Sequence, residues 1–299
     1  MDRQSHHHPF IPDKAHQMQI GKPFFINLAC TGVIPTKAMN AHVPLSHDEI
    51  VADVAQALAL GVQMVHLHAR DSDGVQTADP QPYGQLVEAI RALPGGRELI
   101  VCVTTSGRQD AGFASRSRVL DLDGDARPDM ASLTLSSMNF TQSASLNPPD
   151  TIRRLAEHML TRRIKPELEV FDAGMANFAG VLLKEGLLET PLYVNVLLGN
   201  MAGAQADLLQ LAAILAALPA GCIVGVAGLG RFQLAANGLG LLAADGVRVG
   251  LEDNLWFDQQ RTLPADNSAL IKRVIAQAAL LERPLISAQA LRHTLGIAS

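Results

Sequence analysis

At 299 residues and 31.9 kDa, with 48% hydrophobic residues, the chain has the material for one large domain or two ordinary ones and is not globally disordered. A formal net charge of −5 and the lack of any Lys/Arg-rich run exclude the basic footprint of nucleic-acid or membrane-surface binding. Cys30, Cys102 and Cys222 stand singly in apolar runs without metal-type spacing, so they read as reduced core residues of a cytoplasmic protein.

Residues 1–22 open with "MDRQSHHHPF" and read as a flexible tail. They lack the apolar stretch of a signal peptide, and the triple histidine belongs to that tail rather than to a metal site. From residue 23 onward, short β-branched or apolar runs alternate with stretches of helical period. The strands expected are 24–30, 64–69, 99–105, 130–135, 166–171, 192–198, 222–228 and 247–252. Helical segments fall between them, the first opening on Ser46 and Glu49 in capping-box spacing and closing at Gly61. The segment after the third strand is the weakest, with loop signals and one short helix. The tail after 267 supplies a long helix and a shorter one, split by Pro284. The longest apolar region, 208–228, is broken by Pro219, Ala220 and Gly221 into helix, turn and strand, and spans no bilayer. Eight strands in strict alternation predict a single (β/α)8 TIM barrel over 23–299, with a doubly wound open sheet as the alternative.

The interior of such a barrel is ordinarily filled by branched apolar residues, with catalytic groups at the C-terminal strand ends. Strand alternation picks out exceptions. Strand two sets His66, His68 and Arg70 on one face. Thr104 and Ser106 share a face at the end of strand three, as do Ser132, Thr134 and Ser136 around strand four. Strand five places Glu167 and Glu169 together, and strand eight places Arg248, Gly250 and Glu252 together, with Asp253 following. Buried charges persist when paired or metal-bound, so several strands supplying them point to one polar site at one mouth. Two readings stay open for the histidines: a satisfied core pair, or metal ligands, in which case imidazole and carboxylate favour zinc and Glu252 is the best-placed third ligand. For the glutamates the alternative is structural pairing with Arg248 or Arg70. The run "GVAGLGRF" (225–232), with Gly228, Gly230 and Arg231, reads either as a phosphate cradle or as a plain strand-to-helix turn. An amidohydrolase is disfavoured, because strands five and six carry no histidine.

The segments "ACTGVIPTK", "VHLHARD", "VTTSGR", "PELEVFDAGM", "AGLGRF" and "VRVGLEDN" together resemble the β-keto acid cleavage enzymes, over about residues 24–296. The resemblance implies a zinc-dependent barrel, a homotetramer, that condenses a small-molecule β-keto acid with acetyl-CoA to give acetoacetate and a new acyl-CoA. It implies His66, His68 and Glu252 as zinc ligands, Asp253 as general base and Arg248 as its charged partner. Thr104, Ser106, Ser132 and Glu169 would line the substrate site, and Gly228, Gly230 and Arg231 the CoA site. Members that take an amino-bearing keto acid carry an acid where this chain has Ile34, which implies a neutral, apolar or anionic substrate tail here. The competing functions are another metal-dependent carbon–carbon lyase or aldolase, and a non-catalytic acyl-CoA or keto-acid sensor.

Overall fold

The computed structural model describes residues 18–298, apart from 72 and 109. Its elements run β1 (Phe25–Ala29), α1 (His47–Ala59), β2 (Met64–Leu67), α2 (Pro80–Ala92), β3 (Ile100–Val103), α3 (Phe113–Arg116) and β4 (Met130–Thr134). A small hairpin follows, β5 (Met138–Asn139) and β6 (Ala144–Ser145). The chain continues with α4 (Pro149–Arg162), β7 (Lys165–Val170), α5 (Ala173–Lys184), β8 (Tyr193–Leu198), α6 (Leu208–Ala217), β9 (Ile223–Gly228), α7 (Gln233–Ala243) and β10 (Gly246–Val249). Two helices, α8 (Asn267–Leu280) and α9 (Ala288–Leu295), end it. Eight parallel strands close in the order β1-β10-β9-β8-β7-β4-β3-β2, so the architecture is the (β/α)8 barrel rather than an open sheet.

Local chemistry explains where the helices start. Ser46 and Glu49 form the expected capping box at α1, and Asp79, Asp172, Asp207 and Asp266 each accept a backbone N–H at the start of α2, α5, α6 and α8. Asp172 starts α5 at Ala173, four residues before the apolar period becomes visible at Asn177. None of the described helices is long and apolar enough to cross a membrane. All three cysteines are buried and free.

Residues 1–17 of the expected tail, including the histidine run, lie outside the described residues. Its last part is tied to the barrel: the N–H of Gln19 donates to Leu242 O at 2.9 Å and that of Gly21 to Leu281 O at 3.0 Å.

Two expectations about the strands need correction. The last strand stops at Val249 instead of running to 252, because Gly250 adopts φ +148° and a Cβ there would lie 2.1 Å from Ala29 O. Glu252 and Asp253 therefore stand on a turn above the strand, not on its face. The β5–β6 hairpin was not expected at all; each strand is two residues long, too short to show a period.

The barrel interior has two levels. Phe25, Met64, Ile100, Cys102, Met130, Tyr193 and Ile223 form a buried cluster with Leu291 and Leu295, so α9 plugs the N-terminal end. Above it, the inward positions turn polar.

Candidate active site

Register brings the polar positions together. Asn27 stands beside Arg248, His66 beside Cys102, Ser132 beside Glu167, and Glu169 beside both Thr134 and Asn195. Four of these groups converge on one carboxylate. Glu167 accepts from Asn27 Nδ2 at 2.7 Å, Asn195 Nδ2 at 2.6 Å, Cys102 Sγ at 3.2 Å and His66 Nδ1 at 2.6 Å. The hydroxyl of Tyr193 bridges Asn27 and Asn195 at 3.1 and 3.2 Å. Burial opposes ionisation of Glu167, but the imidazolium of His66 and the guanidinium of Arg248 outweigh it and bring its pKa down to about 2.

The same contact aims His66. With Nδ1 on Glu167, its Nε2 faces His68 Nε2 at 3.2 Å. Glu252 Oε1 lies 3.3 Å from His68 Nε2 and 3.9 Å from His66 Nε2. A four-coordinate divalent ion bound at about 2.1 Å holds its ligand atoms about 3.4 Å apart. The observed triangle matches that spacing, and two of its buried atoms, His68 Nδ1 and Glu252 Oε2, have no hydrogen-bond partner. His66, His68 and Glu252 thus form a group that could hold a metal ion. The carboxylate behind His66 is the kind of outer contact that orients metal-ligating imidazoles. The two rings are held differently. Burial pushes both down, but Glu167 and Glu252 overcome it at His66 and raise its pKa to about 9, whereas at His68 burial prevails.

Arg248 spans the mouth. Its Nε donates to Asp253 Oδ2 at 2.9 Å and its Nη2 to Asp253 Oδ1 at 3.0 Å, a two-point clamp, while Nη2 also reaches Glu252 Oε1 at 2.8 Å. Burial disfavours its charge, yet Asp253 and Glu252 hold it protonated well above the ordinary arginine range. Asp253 is the mirror case: burial raises its pKa and the Arg248 charge only partly opposes this. The result is a carboxylate more basic than an exposed one, fixed in orientation beside the histidine pair. Gly32 supplies the last element of the geometry, since a Cβ there would lie 2.5 Å from Glu252 Cγ.

A cavity at this mouth is lined by the histidine pair, Thr104, Ser106, Glu169, Arg248, Glu252 and Asp253. Its apolar wall comes from Val33, Ile34, Phe140, Phe171, Leu197 and Leu229. Glu169 accepts from Thr134 Oγ1 at 2.6 Å and faces Arg248 Nη1 at 3.8 Å.

The other expected residues fall elsewhere. Ser132 stands behind the cavity, where its hydroxyl accepts from Thr105 N–H at 3.1 Å and so shapes the turn carrying Thr104 and Ser106. Gly228 packs β9 onto α7, where a Cβ would meet Ala236 Cβ at 2.6 Å. The N–H of Gly230 is taken by Asp253 O at 2.7 Å, and Arg231 is exposed outside the cavity lining. Arg70 bonds the carbonyls of Gly74, Gly32 and Pro35 and pairs with neither strand glutamate. Thr134, grouped with Ser132 and Ser136 by strand alternation, lines the cavity; sequence reasoning missed Arg108, Phe140 and Ser145 there, and Asn27, Cys102, Tyr193 and Asn195 as partners of Glu167. Inward parity on β1, β3 and β8 was the available signal for four of them (Asn27, Cys102, Tyr193 and Asn195).

Residues 23–297 match the family described as beta-keto acid cleavage enzyme. The chain belongs to that family. Among relatives of this cleavage-enzyme chain, the 3-oxoadipate:acetyl-CoA acetyltransferase of Cupriavidus necator is 35% identical over 282 residues, covering 93% of this chain and 96% of that protein. The 3-keto-5-aminohexanoate cleavage enzyme of Fusobacterium nucleatum is 31% identical, covering 91% and 97%. The barrel also superposes on ObcA in ternary complex with a C4-CoA adduct and oxalate, at TM-score 0.72 and 19% identity, over 86% of this chain and 68% of that one. That likeness speaks to the fold. Family membership makes the chain an enzyme, a transferase of acyl groups.

Proposed function

We propose that this enzyme is zinc-dependent and condenses a β-keto acid with acetyl-CoA, releasing acetoacetate and a new acyl-CoA. The observation that carries the reading is the His66–His68–Glu252 triangle set directly beside a carboxylate, Asp253, that Arg248 clamps at two points. The relatives' names supply the reaction class, since the Cupriavidus necator protein is an acetyl-CoA acetyltransferase acting on a 3-oxo acid.

Zinc, when bound by His66, His68 and Glu252, supplies a Lewis acid that polarises the β-carbonyl and acidifies the neighbouring carbon. Glu167 holds His66 in the orientation that leaves Nε2 for it. Asp253 takes the proton from the α-carbon, and Arg248 keeps the carboxylate oriented for that transfer. The carbanion attacks the acetyl thioester and expels CoA thiolate. The thiolate adds to the substrate's β-carbonyl, the bond between that carbon and the α-carbon breaks in a retro-Claisen step, and the acetoacetate α-carbon takes back the proton held by Asp253. Thr104, Ser106 and Glu169 face the substrate in the cavity, with Ser132 supporting their turn. The CoA arm is assigned to the β9–α7 side, at Gly228, Gly230 and Arg231, with the Gly230 amide already occupied. Ile34 in the cavity wall offers nothing to an ammonium, so the substrate tail is neutral, apolar or anionic. The same reading carries a cytoplasmic homotetramer.

The test combines metal analysis with a screen of β-keto acids in the presence and absence of acetyl-CoA. About one zinc per chain, lost in a His66→Ala, His68→Ala double variant, and acetoacetate formed only with acetyl-CoA, are the expected results. Cleavage without acetyl-CoA would make the enzyme a lyase, and a clear preference for the amino-bearing acid would overturn the role given to Ile34.

A further inference from the structure

The cavity holds one cation that the chemistry above does not use. Arg108 follows the turn after β3 and lies half-buried in the cavity wall, its guanidinium carbon 3.7 Å from the centroid of the Phe140 ring. That ring comes from the β5–β6 segment and is itself packed edge-on against Phe171 at 5.8 Å. Three other arginines at this end of the barrel have their guanidinium engaged. Arg248 is bound to Asp253 and Glu252, Arg116 to Thr105 O, Leu146 O and Asn147 Oδ1, and Arg70 to three carbonyls. For Arg108, by contrast, no hydrogen bond or ion pair engages the guanidinium among the described residues; only its backbone N–H is used, donating to Ser106 Oγ at 3.3 Å.

An arginine keeps its charge under these conditions, so it presents five donors and a full positive charge to the cavity. Stacking on Phe140 fixes the plane of the fork without consuming its donors. The carboxylates in the same cavity are committed: Asp253 and Glu252 to Arg248, and Glu169 to Thr134. None is paired with Arg108, and the guanidinium shares one cavity with the histidine pair. The neighbouring wall at Val33 and Ile34 is apolar. Such a site suits a ligand whose middle is hydrocarbon and whose far end is a carboxylate.

We propose that Arg108 is a specificity-determining residue that binds the terminal carboxylate of a dicarboxylic β-keto acid; this rests on the β-keto acid reading above and narrows it to dianionic substrates. The reaction holds two other anions, the C1 carboxylate that every β-keto acid carries and the CoA phosphates; a contact to the first would not distinguish two acids that differ only at the far end. The pantetheine arm separates those phosphates from the thioester, so an arginine sharing a cavity with the histidine pair meets the acyl end of the reaction.

The experiment compares 3-oxoadipate with 3-oxohexanoate, two acids of equal chain length that differ in a terminal carboxylate or methyl group. Equilibrium binding by calorimetry and steady-state kinetics with acetyl-CoA are measured on wild type, Arg108→Met and Arg108→Lys. Expected is a preference of wild type for 3-oxoadipate of at least about 30-fold, in both Kd and kcat/KM, abolished by methionine and partly kept by lysine. The preference ratio is the readout, so a general loss of activity in either variant does not enter it, and the KM for acetyl-CoA reports any contact with CoA. Equal binding of the two acids to wild type would overturn the proposal and leave the transferase reading standing. A raised KM for acetyl-CoA with the acid preference intact would overturn it in favour of CoA binding. Selective binding of 3-oxoadipate without acetyl transfer would support Arg108 and overturn the transferase reading instead.

Discussion

The two ends of the barrel interior are built on the same strands, one or two inward positions apart, and they have opposite chemistry. At the N-terminal end Phe25, Met64, Ile100, Met130 and Ile223 meet Leu291 and Leu295 of α9 in a sealed apolar plug. Two residues further along the same strands stand Asn27, His66, Cys102 and Ser132, with Glu167 and Arg248 at the same level. Burying a large apolar side chain contributes about 1.5–3 kcal/mol, whereas an unpaired buried charge costs several kcal/mol. The plug therefore adds stability, and the deepest charges of the mouth are tolerable because Glu167, Arg248 and Asp253 each have a partner within hydrogen-bond reach. One end holds the barrel shut; the other keeps a charged constellation dry and aligned.

The largest effect that separates the two ends is expected at Asp253. Asp253→Asn removes the proton acceptor while keeping a similar shape, and kcat/KM should fall by roughly a thousandfold with metal content little changed. Undiminished turnover would take the base role away from this residue. Next comes Glu167→Gln, which leaves the three metal-facing side chains in place and should lower metal affinity by about 10–100-fold in competition with a chelator. An unchanged affinity would mean that the buried network orients nothing that matters to the metal.

A change in the plug should do the reverse. Leu295 is fully buried, and Leu295→Ala is expected to cost about 2–5 kcal/mol in denaturant unfolding while leaving kcat/KM intact. A matching loss of kcat/KM would show that the ends are coupled through the strands. The smallest effect belongs to the rim. Lys37 bonds Glu49 at 2.7 Å and the Leu45 and Ser46 amides add to it, bringing this carboxylate down to about 2 from its ordinary 4.5. A depressed acid stabilises the fold above its ordinary pKa, and that contribution fades as pH falls toward 2. Both side chains are 43% exposed, so screening limits it to about 0.5 kcal/mol. Glu49→Gln should lower the melting temperature slightly at pH 7 and not at all near pH 2.

Much of this was legible before any coordinates. Alternation of apolar runs with helical stretches gave the barrel, because strand and helix periods are local properties of the chain. Parity within β2 and β7 brought His66 with His68 and Glu167 with Glu169 onto common faces for the same reason. What parity could not give was partnership. Glu167 looked equally ready to pair with Arg248 or Arg70, and it pairs with His66, because only barrel closure brings β7 across from β2. Arg108 lay unremarked inside "TTSGR", since a loop residue carries no period and the ring it stacks on is 32 positions away, at Phe140.

Gly250 shows the boundary between the two kinds of information. The letters "VRVGLEDN" placed the charged residues in the right order and suggested a common strand face. The close approach of the β1 carbonyl to Gly250 ends that strand early and turns Glu252 toward the histidines and Asp253 toward Arg248. By itself the sequence determined the barrel and the residue types at its mouth, because periodicity and composition act along the chain. The triangle, the clamp and the unspent arginine were decided by tertiary structure, since each is a distance between residues that only a closed barrel brings near.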